Sequence, residues 1–245
     1  MIDAAASAAD LLLPRHCLVC GRLLGREERP LCALCLSDLP LTGFPGLSRN
    51  PMSASFNHLV QDGLDGEYRP YSYAAALFYY GKDEGGYSSI TKALKYRGDF
   101  ATGRFFAEML ADKMAEASHW QDVTGVAPVP LHWTRYWKRG YNQASVIGRV
   151  LARRLGVPML PGLLTRCRRT ASQATLSSAS KEGNVSSAFK AAAPPPGSWH
   201  ILIVDDVYTT GSTLHACYEA LRAVTGPDVR ISVATLAVVQ ERLPE

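Results

Sequence analysis

The chain has 245 residues, of which 47% are hydrophobic and 20% are charged, and its formal net charge is +4. This length and composition indicate a globular protein with one large domain, or with a medium domain and a small appendage, and they argue against a disordered chain. No apolar run approaches the roughly 20 residues that a membrane-spanning helix needs, so the sequence predicts no transmembrane segment.

The N-terminal segment, MIDAAASAADLLLP, lacks the basic first part of a signal peptide and carries Asp3 and Asp10. An amphipathic helix is our interpretation of it. We therefore expect a cytoplasmic protein, and the sequence leaves open whether it attaches to the inner face of the membrane.

Two CxxC pairs follow, Cys17 with Cys20 and Cys32 with Cys35. Each pair can present two thiolates to one tetrahedral metal ion, and the glycines and charges between the pairs are typical of a turn or short hairpin. A segment with so little apolar content needs the metal to stabilise its fold. The sequence predicts a structural zinc ribbon; disulfides are the alternative, which an intracellular compartment disfavours.

Residues 42–70 are rich in Gly, Pro, Ser and Asn with little periodicity, which favours a connector. We therefore expect a helix and zinc ribbon at 1–41, a connector at 42–70 and a main domain at 71–245. In the main domain the pattern predicts strands at 71–80, 125–130, 158–164, 201–204 and 229–239, and helical segments from 90, through 106–114, at 142–155 and from 212. Strands that alternate with helices predict an α/β fold with a doubly wound, mostly parallel sheet.

The helix at 142–155 should bury Ile147, Val150, Leu151 and Leu155 and turn Arg149 and Arg153 outward. The helix from Ser212 should pack Leu214, Cys217, Leu221 and Val224 against the core. Residues 165–184 are small, polar and basic, which favours a mobile surface loop.

Positive charge is concentrated between Leu131 and Lys181, where the sequence has no Asp or Glu. The window carries +10, so the remainder of the chain sums to 4 − 10 = −6. Such a field attracts polyanions, either a pyrophosphate group or a nucleic-acid backbone, although a solvated face without a partner is the alternative. Its cations are Arg135, Lys138, Arg139, Arg149, Arg153, Arg154, Arg166, Arg168, Arg169 and Lys181.

Aromatic residues interleave with the first of these cations. Arg135 and Arg139 lie four residues apart, so both can face one ligand if the segment is helical. Single-stranded nucleic acid needs this combination, because its bases stack on rings while its phosphates pair with cations. The alternative is that the rings cover the sheet edge and pack against the ribbon. The rings are Trp133, Tyr136, Trp137 and Tyr141.

The most informative segment is ILIVDDVYTTGST, residues 201–213. A buried strand delivers Asp205 and Asp206 to the carboxyl edge of the sheet, where open α/β sheets bind ligands. Thr209, Thr210, Gly211, Ser212 and Thr213 then offer hydroxyls, backbone N–H groups and a helix N-terminus, which together suit a phosphate. Two acids for sugar hydroxyls beside a phosphate cradle favour a ribose 5-phosphate site; a strand that ends in an Asp N-cap is the alternative.

This segment resembles the loop of type I phosphoribosyltransferases that binds 5-phosphoribosyl-1-pyrophosphate (PRPP). Four blocks, LKYRGDF (94–100), PVPLHWTRYWKRGYNQA (128–144), RCRRTASQATLSSASKEGNVSSAF (166–189) and VDDVYTTGST (204–213), together with the double CxxC, are similar to the ComF family. That resemblance implies a type I phosphoribosyltransferase-like fold with an N-terminal zinc ribbon and a role in natural competence, the uptake of DNA as single strands. Family members usually carry Arg where this chain has Lys181, which removes a bidentate phosphate contact.

The resemblance implies that the ribose hydroxyls of Mg²⁺-bound PRPP contact Asp205 and Asp206, the catalytic pair, while residues 209–213 hold the 5-phosphate. Arg135, Arg139 and Lys181 would face the pyrophosphate. We expect a phosphoribosyltransferase that also binds single-stranded DNA in DNA uptake, with a helicase or channel protein as a further partner. The acceptor, the general base and the oligomeric state are not indicated. The alternatives are a nucleobase phosphoribosyltransferase of salvage, and a non-catalytic nucleic-acid-binding or adaptor module.

Overall fold

The structure is a computed structural model that describes residues 14–61, 69–81, 86–167, 188–195 and 197–244, and only the backbone of Arg97, Arg135 and Lys138. The helix expected before residue 14 and most of the loop expected at 165–184 lie outside these ranges. In the part of the chain that is described, no helix is long and apolar enough to cross a membrane.

The described residues form strands and helices in alternation, as the sequence predicts. The strands are β1 (Ala74–Tyr79), β2 (Gly125–Pro128), β3 (Leu164–Arg166), β4 (Phe189–Ala191), β5 (His200–Tyr208) and β6 (Arg230–Val238). The helices are α1 (Ala33–Ser37), α2 (Pro51–Gln61), α3 (Ser88–Lys92), α4 (Phe100–Ala115), α5 (Trp133–Arg139), α6 (Gln143–Leu155) and α7 (Ser212–Arg222). A π-turn, Ala93–Arg97, follows α3, and short 3₁₀ turns lie at Phe44–Gly46, Ser118–Trp120 and Gln240–Arg242.

The central sheet contains four parallel strands in the order β1-β6-β5-β2, and β3 and β4 form a separate antiparallel pair. Alternate residues of β5 face opposite sides, as the pleat requires. Leu202 and Val204 pack with α4, α6 and the cysteine segment, whereas Ile201 and Ile203 pack with α2 and α7. Helices therefore cover both faces of the sheet, which confirms the predicted doubly wound α/β fold.

The segment expected as a connector contains a helix that belongs to the core. Met52, Phe56 and Val60 recur every four residues along α2 and are buried. Asn50 fixes the start of the helix, because its Oδ1 accepts from Ser53 N at 2.9 Å and its Nδ2 donates to Ala74 O at 2.8 Å. The division into domains at residues 41 and 70 stays a prediction.

Three other local expectations differ from the structure. The strand expected at 158–164 is divided: Met159 forms a parallel bridge with Val126 of β2, and β3 begins at Leu164 and pairs with the antiparallel β4. Val224 is 40% exposed, since α7 ends at Arg222 and the chain leaves the core there. β5 continues past Val204 to Tyr208, so both carboxylates lie within the strand.

A polar network, buried at His200 and Ser232 and exposed at Asp122, joins the strands at the edge opposite the carboxylates. His200 Nδ1 lies 2.8 Å from Asp122 Oδ1, and His200 Nε2 lies 2.7 Å from the hydroxyl of Ser232. Arg230 also donates to Asp122, at 2.9 Å. Although an Asp, a His and a Ser are the side chains of a hydrolytic triad, Ser232 has no exposed surface and accepts from Tyr73 N at 3.0 Å. The network therefore stabilises the contacts between the strands, and Ser232 is not placed to attack a substrate.

This network predicts a loss of stability in mild acid. Burial lowers the pKa of His200, and Arg230 and His119 lower it further, against the opposing effect of Asp122. Because the folded protein binds this proton less readily than the unfolded chain, the contribution is complete above pH 6.5 and falls as the pH drops towards the folded pKa. The slope should reach at most about 1.4 kcal/mol per pH unit.

Urea unfolding at pH 8, 7, 6 and 5 checks this prediction. The His200→Gln variant should be less stable at pH 8 and should lose less of its stability than the parent protein between pH 7 and pH 5. Identical slopes for the two proteins would contradict it.

Candidate functional site

Asp205 and Asp206 lie towards the carboxyl end of β5, between β6 and the end of β2. At this edge β2 ends at Pro128, opposite Val204, so both carboxylates lie beyond the end of β2, at the edge where open α/β sheets bind ligands. Asp206 is only 6% exposed, and its N–H donates to Asp205 Oδ1 at 2.8 Å. The predicted acidic pair is thus held at the predicted edge by the strand itself.

Lys95 forms an ion pair with this acidic pair, and sequence reasoning did not select it. Its Nζ lies 3.2 Å from Asp206 Oδ2. The lysine belongs to the π-turn, which ends at Gly98 with φ +64° before Asp99 caps α4 by accepting from Thr102 N at 2.9 Å. π-turns recur at functional sites because they aim one side chain out of the helical path. The sequence feature that could have identified Lys95 is the block LKYRGDF, which contains it.

Arg166 is a second cation at the carboxylates. Burial and the neighbouring charge of Asp206 raise the pKa of Asp205 to about 7, while the Asp206 N–H, Lys95 and Arg166 act in the opposite direction. Arg166 itself packs 5.0 Å above the ring of Phe189 in the β3–β4 pair. Burial and the acidic neighbour therefore favour the protonated form of Asp205, and the two cations favour its ionised form.

Two substitutions should move the titration of Asp205 in opposite directions. Asp206→Asn removes the adjacent negative charge, so the pKa of Asp205 should fall below about 7. Lys95→Met removes a favourable cation, so the same pKa should rise. Carbon-detected NMR titration of the aspartate carboxyl groups measures both shifts. Shifts of the same sign in the two variants would rule out this electrostatic coupling.

The segment Thr209–Thr213 joins β5 to α7 beside the carboxylates. Gly211 adopts φ +76° and precedes Ser212, the first residue of α7, whose N–H donates to Thr210 Oγ1 at 3.5 Å. Thr209 and Thr210 are exposed, and the hydroxyls of Thr210 and Ser212 lie 2.7 Å apart. Hydroxyls and N–H groups at a helix N-terminus are the donors that a phosphate needs, as the sequence predicts.

The structure describes the three residues that were predicted to contact pyrophosphate to different extents. Arg139 donates to Gln143 Oε1 at 3.2 Å and lies 5.3 Å above the ring of Tyr96, next to Lys95, rather than against a carboxylate. Arg135 falls on the helix α5, as the four-residue spacing requires, but its side chain lies outside the described part of the structure. Lys181 also lies outside it.

The four cysteines of the two CxxC pairs lie close together. Their sulfur atoms all lie within 4.8 Å of one another, and those of Cys20 and Cys32 are 3.8 Å apart. Burial raises the pKa of Cys17, but backbone N–H groups of Cys20, Cys32 and Val19 outweigh it and lower the pKa to about 6. Four sulfurs at this spacing, one of them stabilised as a thiolate, fit a tetrahedral zinc ion.

The cysteine segment is attached to the main body. Ser89 donates its hydroxyl to Leu18 O at 2.6 Å, and Tyr87 donates to Cys35 O at 3.0 Å. Cys17, Leu31 and Cys32 are buried in the same cluster as α4 and α6. The ribbon therefore shares its core with the face of the sheet that packs against α4 and α6.

The chain has homologues among proteins that are named for competence and for DNA utilization. It is 32% identical over 149 residues to Competence protein F of Haemophilus influenzae, an alignment that covers 59% of this chain and 65% of that protein. It is 37% identical over 107 residues to DNA utilization protein YhgH of Escherichia coli, covering 41% and 47%. Competence protein ComFC of Streptococcus pneumoniae is 25% identical over 233 residues, covering 87% and 96%. No family model matches the chain.

Solved structures with a related fold are phosphoribosyltransferases. Adenine phosphoribosyltransferase from Leishmania tarentolae is 16% identical with a TM-score of 0.32, covering 66% of this chain and 78% of that one. Orotate phosphoribosyltransferase from Aeropyrum pernix is 16% identical with a TM-score of 0.32, covering 73% and 77%.

Proposed function

We propose that this chain, a homologue of the ComF competence proteins, binds PRPP with Mg²⁺ at the carboxyl edge of its sheet and binds single-stranded DNA in DNA uptake. The observation that carries the proposal is the acidic pair, Asp205 and Asp206, placed between Lys95 and the start of α7. A carboxylate pair accepts hydrogen bonds from two vicinal hydroxyls, and the start of a helix accepts a phosphate. A ribose 5-phosphate has both groups on one small molecule.

The charge balance at the acidic pair favours a sugar over a free cation. Lys95 already neutralises one carboxylate, and Arg166 lowers the pKa of the other. Both cations favour the ionised carboxyl groups, which are the forms that accept hydrogen bonds from ribose hydroxyls. Because burial and Asp206 raise the pKa of Asp205 to about 7, PRPP affinity should increase as the pH rises from 6 to 8.

The residues present also suit Mg²⁺ as the companion of PRPP. Carboxylate oxygens are its usual protein ligands, and it keeps water and phosphate oxygens in the remaining positions. Asp205 or Asp206 would hold it, directly or through water, and when bound it supplies positive charge to the departing pyrophosphate. The protein's own contribution is to fix the sugar and to exclude water from the buried side of β5.

The proposed reaction is pentosyl transfer. The bond between the anomeric carbon of PRPP and its pyrophosphate oxygen breaks, the pyrophosphate leaves with the bonding electrons, and an acceptor forms the new bond to that carbon. The transition state resembles an oxocarbenium ion, as in glycoside cleavage. Ionised carboxylates that hold the ribose hydroxyls orient the ring for this step, and fixed cations near the leaving group stabilise it by roughly 3 kcal/mol per well-placed donor.

Calorimetric titration of Mg²⁺-PRPP into the full-length, zinc-loaded protein at pH 8 tests the binding site. The parent protein should bind with a saturable isotherm. Asp206→Asn should weaken binding about 100-fold or more, because hydrogen bonds to charged groups contribute about 1.5–3 kcal/mol each. Asp112→Asn is the matched control, since Asp112 lies on the solvent-exposed side of α4 in a surface ion pair with Arg154.

Unchanged affinity in Asp206→Asn, with an unaltered thermal midpoint, would exclude the acidic pair as the sugar site. Release of pyrophosphate on addition of a single free nucleobase would favour a salvage enzyme. DNA binding without PRPP binding in the parent protein would favour a non-catalytic nucleic-acid-binding module.

A further inference from the structure

Exposed aromatic side chains are concentrated in two neighbouring segments. Among the described residues, every exposed aromatic ring of Phe, Tyr or Trp comes from 96–100 or 133–137. Single exposed apolar residues are ordinary, but a cluster of large ones marks an interaction site. The cluster is Tyr96 (74% exposed), Phe100 (38%), Trp133 (65%), Tyr136 (51%) and Trp137 (81%).

A groove of about 550 Å³ adjoins these rings, between α4, α5 and α6. Each of the two long helices contributes residues at four-residue spacing, which places them on one face: Phe100 and Arg104 on α4, and Arg149 and Arg153 on α6. Tyr136 and Tyr141 close the groove at its aromatic end, and none of the described residues that line it is acidic. One end of the groove is therefore aromatic and the other is cationic.

Two of the three arginines have no ionic partner within the part of the chain that is described. Arg104 and Arg149 are exposed and make no ion pair or hydrogen bond with it, whereas Arg153 lies 3.5 Å from Glu108. Unpaired guanidinium groups match phosphate oxygens in a bidentate geometry and carry no cost of breaking an existing pair. Nine of the eleven residues that line the groove belong to the 131–181 window, whose sequence contains no Asp or Glu.

Part of the aromatic wall is held in place before any ligand binds. The rings of Phe100 and Tyr141 pack edge to face at 4.6 Å, and the Tyr141 hydroxyl donates to Leu94 O. Arg139 fixes Tyr96 by lying 5.3 Å above its ring. Groups that are already ordered lose less conformational entropy on binding, so a ligand binds to this surface at a lower entropic cost.

We propose that the groove between α4, α5 and α6, with the exposed rings around it, is the surface that binds single-stranded nucleic acid. Phosphates contact Arg104 and Arg149, and unpaired bases stack on Tyr136 and the neighbouring tryptophans. A duplex does not fit this chemistry, because its bases are already stacked. The inference rests on the DNA-binding part of the proposed function and locates it away from Asp205 and Asp206.

Fluorescence anisotropy of a labelled 20-nucleotide poly-dT strand with the full-length, zinc-loaded protein tests the proposal across a salt series. Arg104→Gln with Arg149→Gln should weaken binding and reduce the slope of log K against log salt by about 1.4, or 0.7 for each lost phosphate contact. Tyr136→Ala with Trp137→Ala should weaken binding about 5- to 150-fold for each base that no longer stacks, without changing that slope.

A charge-matched control removes two cations elsewhere. Lys113→Gln with Arg242→Gln should retain the parent affinity and slope, since both side chains are exposed and neither lines the groove. If the two double-glutamine variants behave alike, or if a duplex of equal length binds as tightly as poly-dT, the groove is not the single-strand site. If the parent protein binds no poly-dT, the DNA part of the proposed function fails with it. PRPP binding, measured on the same variants, is expected to be unchanged. That measurement tests the PRPP part of the proposed function independently of the groove.

Discussion

Replacement of Cys32 by Ser is expected to release the zinc ion that the four-cysteine cluster fits and to unfold the N-terminal segment. Cys32 is buried and its sulfur lies within 4.8 Å of the other three, so a hydroxyl there removes one of four ligands from the middle of the site. Structural zinc contributes about 10–16 kcal/mol of apparent folding free energy in zinc-finger peptides, and the described part of the cysteine segment, residues 14–39, is too short to form a stable core alone. Zinc content by inductively coupled plasma mass spectrometry should fall from one per chain to near zero.

The effect should extend beyond the cysteine segment. Leu31 and Cys32 pack in the cluster that contains α4 and α6, so loss of the ribbon uncovers apolar surface on the main body. We expect rapid proteolytic cleavage within 14–39 and a lower thermal midpoint for the remaining chain. Cys167→Ser is the control, because Cys167 is an exposed cysteine outside the cluster. Full zinc content in Cys32→Ser would show that the metal site is not the four-sulfur cluster.

Gly211→Ala is expected to destabilise the protein by about 2–5 kcal/mol and to abolish PRPP binding. A Cβ at this position would lie 2.5 Å from the Tyr208 hydroxyl and 2.8 Å from Leu59 Cδ1, with φ at +76°. The left-handed conformation costs roughly 1–2 kcal/mol, and overpacking adds about 1–3 kcal/mol. Tyr208 cannot move away easily, because it is buried and its hydroxyl lies 3.1 Å from that of Ser55.

Two other glycines separate these contributions. Gly156 has φ +69° with open space around it, so Gly156→Ala should show the conformational cost alone. Gly226 has open space and no left-handed φ, so Gly226→Ala should change the unfolding free energy little. In thermal unfolding, Gly211→Ala should have the lowest midpoint, roughly 5–15 °C below the parent protein. The midpoint of Gly156→Ala should be intermediate, and that of Gly226→Ala should be close to the parent's. A Gly211→Ala protein no less stable than Gly156→Ala would contradict the close packing against Tyr208.

The strongest elements of the fold are predictable because their residues carry the information locally. Ile201 to Val204 form an apolar run too short for a helix, and the small residues after Asp206 break the strand pattern before α7. The helix α2 was also predictable in principle, since Met52, Phe56 and Val60 recur at helical spacing. The Gly, Pro, Ser and Asn residues around them outweighed that signal, although Asn50 and Pro51 are typical of a helix start rather than of a connector.

The partner of the acidic pair could not be predicted by the same reasoning. Lys95 meets Asp206 only because the π-turn and the strand β5 are brought together by the packing of α4 against the sheet. Nothing within a few residues of Lys95 indicates which distant carboxylate it faces, and one lysine in a helical pattern is ordinarily a solvated side chain. Arg139 lies on α5, as its four-residue spacing from Arg135 predicted, and its contact with Tyr96 depends on long-range packing in the same way. The ligand that the two arginines would share stays a prediction.

The strand β5 carries a structural residue at one end and a ligand-binding candidate near the other. His200 and Asp206 are six residues apart, which corresponds to roughly 20 Å along an extended strand. Substitutions at the two ends should therefore separate in different assays: those at His200 reduce the amount of folded protein, and those at Asp206 leave the amount intact and abolish what it binds. In a library of β5 variants scored for abundance and for PRPP binding, substitutions in the half around His200 should lower abundance. Substitutions in the half around Asp206 should lower PRPP binding alone.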